Sequence, residues 1–317
     1  MATSLINPRR AIQLKASRRD FTTDLDLTTE ELLYLLQLAR KLKEAPARYA
    51  DARKGRYISL LFEKPSLRTR LTFELAIKQL GGDAVSSIGV VGDREPVKDI
   101  ARNLDRWTKA IVARVFRQQI IEELALWSSV PVINALSDLY HPCQALADFL
   151  TLQERFGNLG GLKLAFVGDG NNVAHSLMLG AARLGMDFSV ASPQGYEPSK
   201  QIVSLAVELA AASGAKILVT EDPAAAVDAA SAVYTDVWAS MGQEKEAAQR
   251  RHLFSPYQVN ETLMDAAGHN AIFMHCLPAH RGEEVTDDVA ESPASVIFDQ
   301  AENRLHAQKA LLLMLID

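Results

Sequence analysis

A short segment rich in hydroxyl and guanidinium groups lies between an apolar run and a helical pattern. It reads Ser66-Leu67-Arg68-Thr69-Arg70. Backbone N–H groups at a helix N-terminus are unpaired and bind anions readily. Ser66 and Thr69 add hydroxyl donors, and the planar guanidinium of Arg68 matches phosphate oxygens. The glycines and lysine of a nucleotide P-loop are absent. The segment predicts an anion site, with a capped helix carrying surface arginines as the alternative.

Two further motifs place polar side chains beside predicted helix starts. In His141-Pro142-Cys143-Gln144, the histidine and the glutamine can both face one polar ligand, whereas we interpret Cys143 as structural. Phe166-Val167-Gly168-Asp169-Gly170-Asn171-Asn172 follows a strand and opens a helix, as ligand-binding edges of parallel sheets do. It lacks the dinucleotide pattern G-x-G-x-x-G. A capped helix and a tight turn are the respective alternatives.

Two later motifs also follow predicted strands. Asp236-Val237-Trp238-Ala239-Ser240-Met241-Gly242 begins with a carboxylate that can pair with an ammonium group, although a capping Asp beside a buried Trp is the alternative. In His275-Cys276-Leu277-Pro278, the cysteine is either a nucleophile or a structural residue. Zinc binding with His280 is disfavoured because no second Cys/His pair stands at metal spacing.

The elements around these motifs alternate between strand and helix. Alternation of this kind implies parallel sheets covered by helices on both faces, hence an α/β fold. A helix over Gln144–Phe156 is the natural bridge between two such domains. We therefore predict domains at 1–143 and 144–300, with the closing helix 301–317 returning to the first. Other predicted strands are 56–62, 84–88, 110–116, 131–134, 162–167, 187–191, 216–220, 232–236 and 271–274, and other predicted helices are 28–43, 69–80, 96–106, 120–127, 173–184, 200–213 and 223–229.

Bulk properties agree with a two-domain globular protein. The chain has 317 residues, of which 48% are hydrophobic, and two domains of roughly 150 residues suit this length. A net charge of -5 gives no support to a nucleic-acid partner. The two cysteines, Cys143 and Cys276, fit a reducing compartment. No apolar run reaches the ~20 residues that span a membrane, so we expect a cytoplasmic protein.

Taken in order, the five motifs resemble those of the aspartate/ornithine carbamoyltransferase family, and the resemblance extends from about residue 27 to the C-terminus. Two features differ from the family pattern. Leu67 replaces a threonine that many members have, so only its backbone N–H remains as a phosphate ligand. The loop Ser86–Gly92 is shorter than usual and lacks the glutamine that enters a neighbouring subunit's site.

The resemblance implies a residue-by-residue assignment. The carbamoyl phosphate ligands would be Ser66, Leu67, Arg68, Thr69, Arg114, His141, Gln144, Cys276, Leu277 and Arg304, and the ornithine ligands would be Asn172, Asp236, Ser240 and Met241. Among these, Arg114, His141, Asp236 and Cys276 would be catalytic. The D-x-W-x-S-M-G motif resembles the ornithine enzymes rather than the aspartate enzymes, which must hold a second carboxylate.

The resemblance also implies chemistry and assembly. The first domain would bind carbamoyl phosphate and the second ornithine. A neutral side-chain amine would attack the carbamoyl carbon to give citrulline and phosphate, with neither metal nor organic cofactor. The family forms homotrimers with active sites at subunit interfaces. Two alternatives remain: a carbamoyltransferase acting on an N-acylated ornithine or on putrescine, and a catalytically idle protein that keeps the fold.

Overall fold

The chain forms two compact units in the computed structural model, which describes residues 20–239 and 246–317. The first unit contains the described residues up to Cys143 together with Leu305–Asp317, and the second contains Gln144–Arg304. No helix in the described part of the chain is long and apolar enough to cross a membrane.

A four-stranded parallel sheet organises the first unit. Its strands are β1 (Tyr57–Phe62), β2 (Asp83–Ile88), β3 (Ile111–Arg114) and β4 (Val132–Leu136). Its helices are α1 (Thr29–Glu44), α2 (Leu67–Gln79), α3 (Val97–Trp107) and α4 (Gln118–Trp127), and a short 3₁₀ turn covers Pro46–Tyr49. The strand order is β2-β1-β3-β4. The chain leaves this unit within α5 (Pro142–Phe156) and re-enters it within α12 (Ile297–Leu315).

Local sequence explains the start of α1 and the burial of β3. The Thr28 hydroxyl accepts from the backbone N–H of Glu31, and the Glu31 carboxylate accepts from the backbone N–H of Thr28, so the two residues form a capping box at the start of α1. Strand β3 has buried apolar residues on both faces because helices cover both sides of the sheet. It is shorter than the predicted strand 110–116, since the β3–β4 register shifts between Ala113 and Arg114.

A five-stranded parallel sheet organises the second unit. Its strands are β5 (Lys163–Val167), β6 (Asp187–Ala191), β7 (Ile217–Thr220), β8 (Ala232–Thr235) and β9 (Ile272–His275). Its other helices are α6 (Asn172–Leu184), α7 (Lys200–Ser213), α8 (Pro223–Val227), α9 (Ala247–Phe254), α10 (Glu261–Ala267) and α11 (Asp287–Ala290), with a 3₁₀ turn at Ser255–Tyr257. The strand order is β7-β6-β5-β8-β9. The sequence did not predict α9, α10 or α11, which are only 8, 7 and 4 residues long.

The core of the second unit brings α5 and α6 into close contact. Almost every residue of α6 is buried, so this helix lacks a solvent face. Its Gly180 lies against the ring of Phe149 on α5, and a Cβ atom there would be 2.2 Å from Phe149 Cε2. A larger residue at position 180 would therefore push the two helices apart.

We expect Gly180→Ala to destabilise the protein even though alanine favours helix formation by ~1 kcal/mol. Overpacking against Phe149 should outweigh that gain, with a net loss of about 1–2 kcal/mol measured by urea denaturation. The control is the same substitution in a Phe149→Leu background, where the clash is relieved and the loss should disappear. A Gly180→Ala protein as stable as the parent chain would contradict this account of the packing.

Candidate functional site

The predicted anion segment connects β1 to α2 in the first unit. Ser66 occupies the N-cap position of α2 in an extended conformation, and its side chain makes no capping hydrogen bond. Leu67, the first residue of the helix, is 71% exposed, whereas Thr69 is buried. The first turn of α2 contains no acidic residue that would repel an anion. The helix terminus thus keeps the features that make such positions bind phosphate.

Arg114 lies beside this terminus. It ends β3, and in the parallel register it is paired with Phe62, the last residue of β1. The Nη1 atom of Arg114 is 3.4 Å from Oγ1 of Thr69, at the outer limit of a hydrogen bond. The structure therefore brings together two of the predicted ligands, Thr69 from the first turn of α2 and Arg114 from the end of β3.

Glu63 supports the same region and was not identified from the sequence. This buried residue follows β1, and its carboxylate accepts hydrogen bonds from the backbone N–H groups of Val91 and Phe116. One carboxylate thereby connects the loop after β2 to the loop after β3. A single acidic residue beside Lys64-Pro65 gave no signal in the sequence, because its backbone partners are distant along the chain.

His141 and Cys143 lie at the start of α5 and are both buried. The Cys143 thiol donates to the carbonyl oxygen of Asn134 at 3.3 Å, which fits the structural role expected for it. His141 is only 5% exposed. Its burial within the first unit is compatible with a role in ligand binding.

In the second unit, a cluster of donors surrounds the carboxylate of Asp236. Asn171 Nδ2 donates to Oδ2 at 2.8 Å, while the backbone N–H of Val237 and the Cys276 thiol donate to Oδ1 at 2.8 and 2.9 Å. The three contributing segments follow β5, β8 and β9, which are neighbours in the sheet. Asp236 and Cys276 come directly after Thr235 and His275, which are partners in the strand register. The two residues Asp236 and Cys276, both predicted to be catalytic, are thus in contact.

The two asparagines of the β5–α6 turn differ in their contacts. Asn171 is the N-cap of α6, where its Oδ1 accepts from the backbone N–H groups of Val173 and Ala174. The predicted ligand Asn172 is the first helical residue and is half-buried. Asn171 was not predicted, although it is the residue that contacts Asp236.

Cys276 is a thiol in this environment. Desolvation, followed by the negative charge of Asp236, raises the pKa of Cys276 well above its usual value. The thiolate is the nucleophilic form of cysteine, so this position disfavours covalent catalysis by Cys276 at neutral pH. The protonated thiol instead acts as a hydrogen-bond donor to Asp236.

Both ring nitrogens of the neighbouring His275 are occupied. Nδ1 accepts from the backbone N–H of Leu277 at 2.8 Å, and Nε2 is 3.2 Å from Oε1 of Glu284. Asp236, His275 and Cys276 have ligand atoms within 4.8 Å of one another. The imidazole has no remaining lone pair for a metal, so we do not assign one there. Leu277 has a left-handed φ of 58°, which the bond to His275 helps to hold.

A buried ion pair lies next to the predicted ornithine motif. Arg250 of α9 donates from Nη1 to Asp169 Oδ2 and to the Trp238 carbonyl oxygen, both at 2.9 Å, and its guanidinium stacks over Tyr196. Burial raises the pKa of Asp169 to about 6, opposed by Arg250. No motif indicated Arg250. The predicted ligands Ser240 and Met241 lie outside the described residues.

Gln144 and Arg304, predicted ligands far apart in sequence, are in contact within the second unit. Arg304 Nη1 donates to Gln144 Oε1 at 2.6 Å, and both side chains are buried. The predicted residues therefore form three groups: Thr69 with Arg114, Asp236 with Cys276, and Gln144 with Arg304.

Comparison with known proteins agrees with both units. Residues 19–154 match the family model described as aspartate/ornithine carbamoyltransferase, carbamoyl-P binding domain. Residues 160–315 match the Asp/Orn binding domain of the same family. Ornithine carbamoyltransferase from Anoxybacillus flavithermus is 52% identical over 317 residues, covering 98% of this chain and all of the relative. The anabolic ornithine carbamoyltransferase from Pyrococcus furiosus is 49% identical, with 94% and 96% of the two chains covered.

Solved structures give the same result. The structure of ornithine carbamoyltransferase from Pyrococcus furiosus matches with a TM-score of 0.91 at 49% identity, covering 94% of this chain and 96% of that one. Ornithine transcarbamoylase from Giardia lamblia matches with a TM-score of 0.87 at 35% identity, covering 94% and 98%. These matches span both units, and the chain belongs to the aspartate/ornithine carbamoyltransferase family.

Proposed function

We propose that this protein is an enzyme that transfers the carbamoyl group of carbamoyl phosphate to the side-chain amine of L-ornithine, giving L-citrulline and phosphate. The observation that carries the proposal is the Asp236 carboxylate, held by Asn171 and Cys276 at adjoining strand ends, where it can pair with an ammonium group. Relatives about 50% identical over nearly the whole chain are named ornithine carbamoyltransferases.

For carbamoyl phosphate, the residues of the first unit supply the phosphate and carbonyl contacts. Ser66, Arg68 and Thr69 bind the phosphate with the backbone N–H groups of α2, including that of Leu67. Arg114 and His141 polarise the carbonyl oxygen, which gains negative charge in the tetrahedral intermediate. The contact between Arg114 and Thr69 supports a shared task for the two residues. We also assign Gln144, the Leu277 carbonyl and Arg304 as ligands of the carbamoyl group.

For ornithine, Asn172, Ser240 and Met241 bind the amino-acid end and Asp236 the side-chain amine, beside Cys276. An alkylamine of pKa near ~10.5 is mostly protonated at neutral pH, so desolvation must assist loss of the first proton. The neutral nitrogen then attacks the carbamoyl carbon. A C–N bond forms, the C–O bond to phosphate breaks, and the nitrogen gives up its second proton. The raised pKa of Cys276 supports direct attack by the amine.

Assembly as a homotrimer, with active sites at subunit interfaces, is supported by an apolar surface on the first unit. Leu67, Leu71 and Leu75 form a stripe along α2, and each is more than 40% exposed. Leu67, Leu71 and Ile88 line one groove, and Ile88 belongs to the edge strand β2. Contiguous exposed apolar surfaces and unpaired strand edges are typical of protein interfaces.

A role in arginine biosynthesis is also part of the proposal. It is supported by the anabolic enzyme of Pyrococcus furiosus among the relatives. We place the reaction in the cytoplasm, where thiols stay reduced, because both cysteines are free thiols.

An acceptor panel tests the function directly. Purified protein supplied with carbamoyl phosphate should convert ornithine to citrulline, measured colorimetrically. The α-amine of N-acetylornithine is acylated and putrescine has no carboxylate, so neither presents an intact amino-acid end, and we expect kcat/KM for both to be lower by about a hundredfold or more. If either analogue is the better acceptor, that analogue and not ornithine is the substrate. Absence of transfer to all three would indicate a catalytically idle protein.

Replacing Arg68 tests the proposed phosphate-binding site. Arg68→Ala removes a charged donor to phosphate, and we expect kcat/KM for carbamoyl phosphate to fall by about a hundredfold or more. Circular dichroism and the melting temperature should stay near those of the parent chain. Arg40→Ala, which removes an exposed arginine from α1, is the matched control and should retain activity. Near-normal turnover by Arg68→Ala would remove this residue from the site.

A charge placed in the apolar stripe tests the assembly. We expect the parent protein to sediment with a mass three times its 34.8 kDa. Leu71→Glu would bury a charge in the proposed interface, so it should shift the protein toward monomers. Activity should fall as the fraction of trimer falls. Leu33→Glu, at an exposed position of α1, serves as the control. A parent protein that sediments as a monomer would contradict the trimer.

A further inference from the structure

A fully buried carboxylate that the proposed mechanism does not use lies one helical turn after Gln144. Asp148 of α5 accepts three hydrogen bonds within the second unit. Gln144 Nε2 and Gln300 Nε2 donate to its Oδ1 at 2.8 and 2.9 Å, and the Tyr234 hydroxyl donates to its Oδ2 at 3.0 Å. Burial raises the pKa of Asp148 to about 6, so the group is ionised at neutral pH. An ionised carboxylate accepts hydrogen bonds and donates none.

This acceptor fixes the orientation of two amides. Each glutamine must turn its NH₂ group toward Asp148, which leaves its oxygen for the opposite side. The Gln144 oxygen then accepts from Arg304 Nη1 at 2.6 Å, and the Gln300 oxygen accepts from the backbone N–H of His275 at 2.9 Å. Both second partners are donors, so the two outer contacts are compatible with the orientation that Asp148 imposes.

We propose that Asp148 is a positioning residue that makes Gln144 present its oxygen to the carbamoyl NH₂ group, and that it thereby selects carbamoyl phosphate over acyl phosphates. This inference rests on the proposed function. A carbonyl oxygen has two lone pairs, of which Arg304 takes one, so the other can accept from the substrate. In the reversed orientation, the Gln144 NH₂ group would face the NH₂ of the substrate, and two donors would oppose each other.

The orientation depends on an acceptor at Oδ1 rather than on the charge. If Asp148 is protonated on Oδ2, it can donate that proton to the Tyr234 oxygen. In Asp148→Asn, the amide NH₂ group can donate to the same oxygen. The remaining oxygen then still accepts from Gln144 and Gln300. Asp148→Asn should therefore keep the amides oriented, whereas Asp148→Leu keeps the branched shape of the side chain but has no acceptor. This pair of variants separates orientation from charge and from packing.

The experiment compares two ligands that differ at one group. Carbamoyl phosphate carries an NH₂ group where acetyl phosphate carries a methyl group. We would measure KM for carbamoyl phosphate at saturating ornithine and the inhibition constant of acetyl phosphate against it. In Asp148→Leu, we expect KM to rise about tenfold while the inhibition constant changes by less than about twofold. Asp148→Asn should restore the parent ratio of the two constants.

The matched control is Thr151→Val. Thr151 lies on the same helix, is buried, donates to Ala147 and accepts from Asn303, so its loss also removes buried hydrogen bonds. We expect it to lower the melting temperature without changing the ratio of the two constants.

If Asp148→Leu does not fold, Gln144→Met is measured in its place. That variant removes the Gln144 oxygen assigned to the carbamoyl NH₂ group, so KM for carbamoyl phosphate should rise while the inhibition constant of acetyl phosphate stays nearly unchanged. An unchanged ratio in Asp148→Leu or in its substitute overturns the inference, as does an equal loss for both ligands. Parent protein without ornithine carbamoylation would instead refute the proposed function itself.

Discussion

In a parallel sheet all strands end at one edge, and two of the three groups of predicted residues depend on this constraint. In the first unit, Arg114 ends β3 beside Phe62, the last residue of β1, so its guanidinium reaches Thr69 in the first turn of α2. In the second unit, β5, β8 and β9 are neighbours, and the segments after them supply Asn171, Asp236 and Cys276. Strand order therefore decides which motifs can cooperate.

Buried carboxylates hold these strand ends in place. Glu63 connects two loops of the first unit through backbone N–H groups, and Asp148 collects two glutamines and a tyrosine in the second. A buried carboxylate must be surrounded by donors, because each unsatisfied lone pair carries a desolvation cost. The orientation of these donors is consequently fixed, and so is the position of the groups that the donors contact.

Charge in the second unit is balanced locally. Asp169 is paired with Arg250, whose guanidinium also stacks on Tyr196, while Asp236 has neutral donors around it. Because Arg250 neutralises the first carboxylate, the second is the one suited to receive a cationic ligand. Burial raises the pKa of Cys276 and the Asp236 charge raises it further, so the thiol stays protonated and donates to Asp236.

The sequence by itself determined the α/β class, most elements of both sheets and the motifs that indicate the family, because periodicity, caps and strand-end motifs are local signals. It did not indicate Glu63, Asp148, Asn171 or Arg250 as supporting residues. Their partners lie up to 152 positions away, as with Asp148 and Gln300, and a lone buried acid has no sequence pattern. Only the tertiary structure decided which donors meet which carboxylate, since that depends on strand order and helix packing.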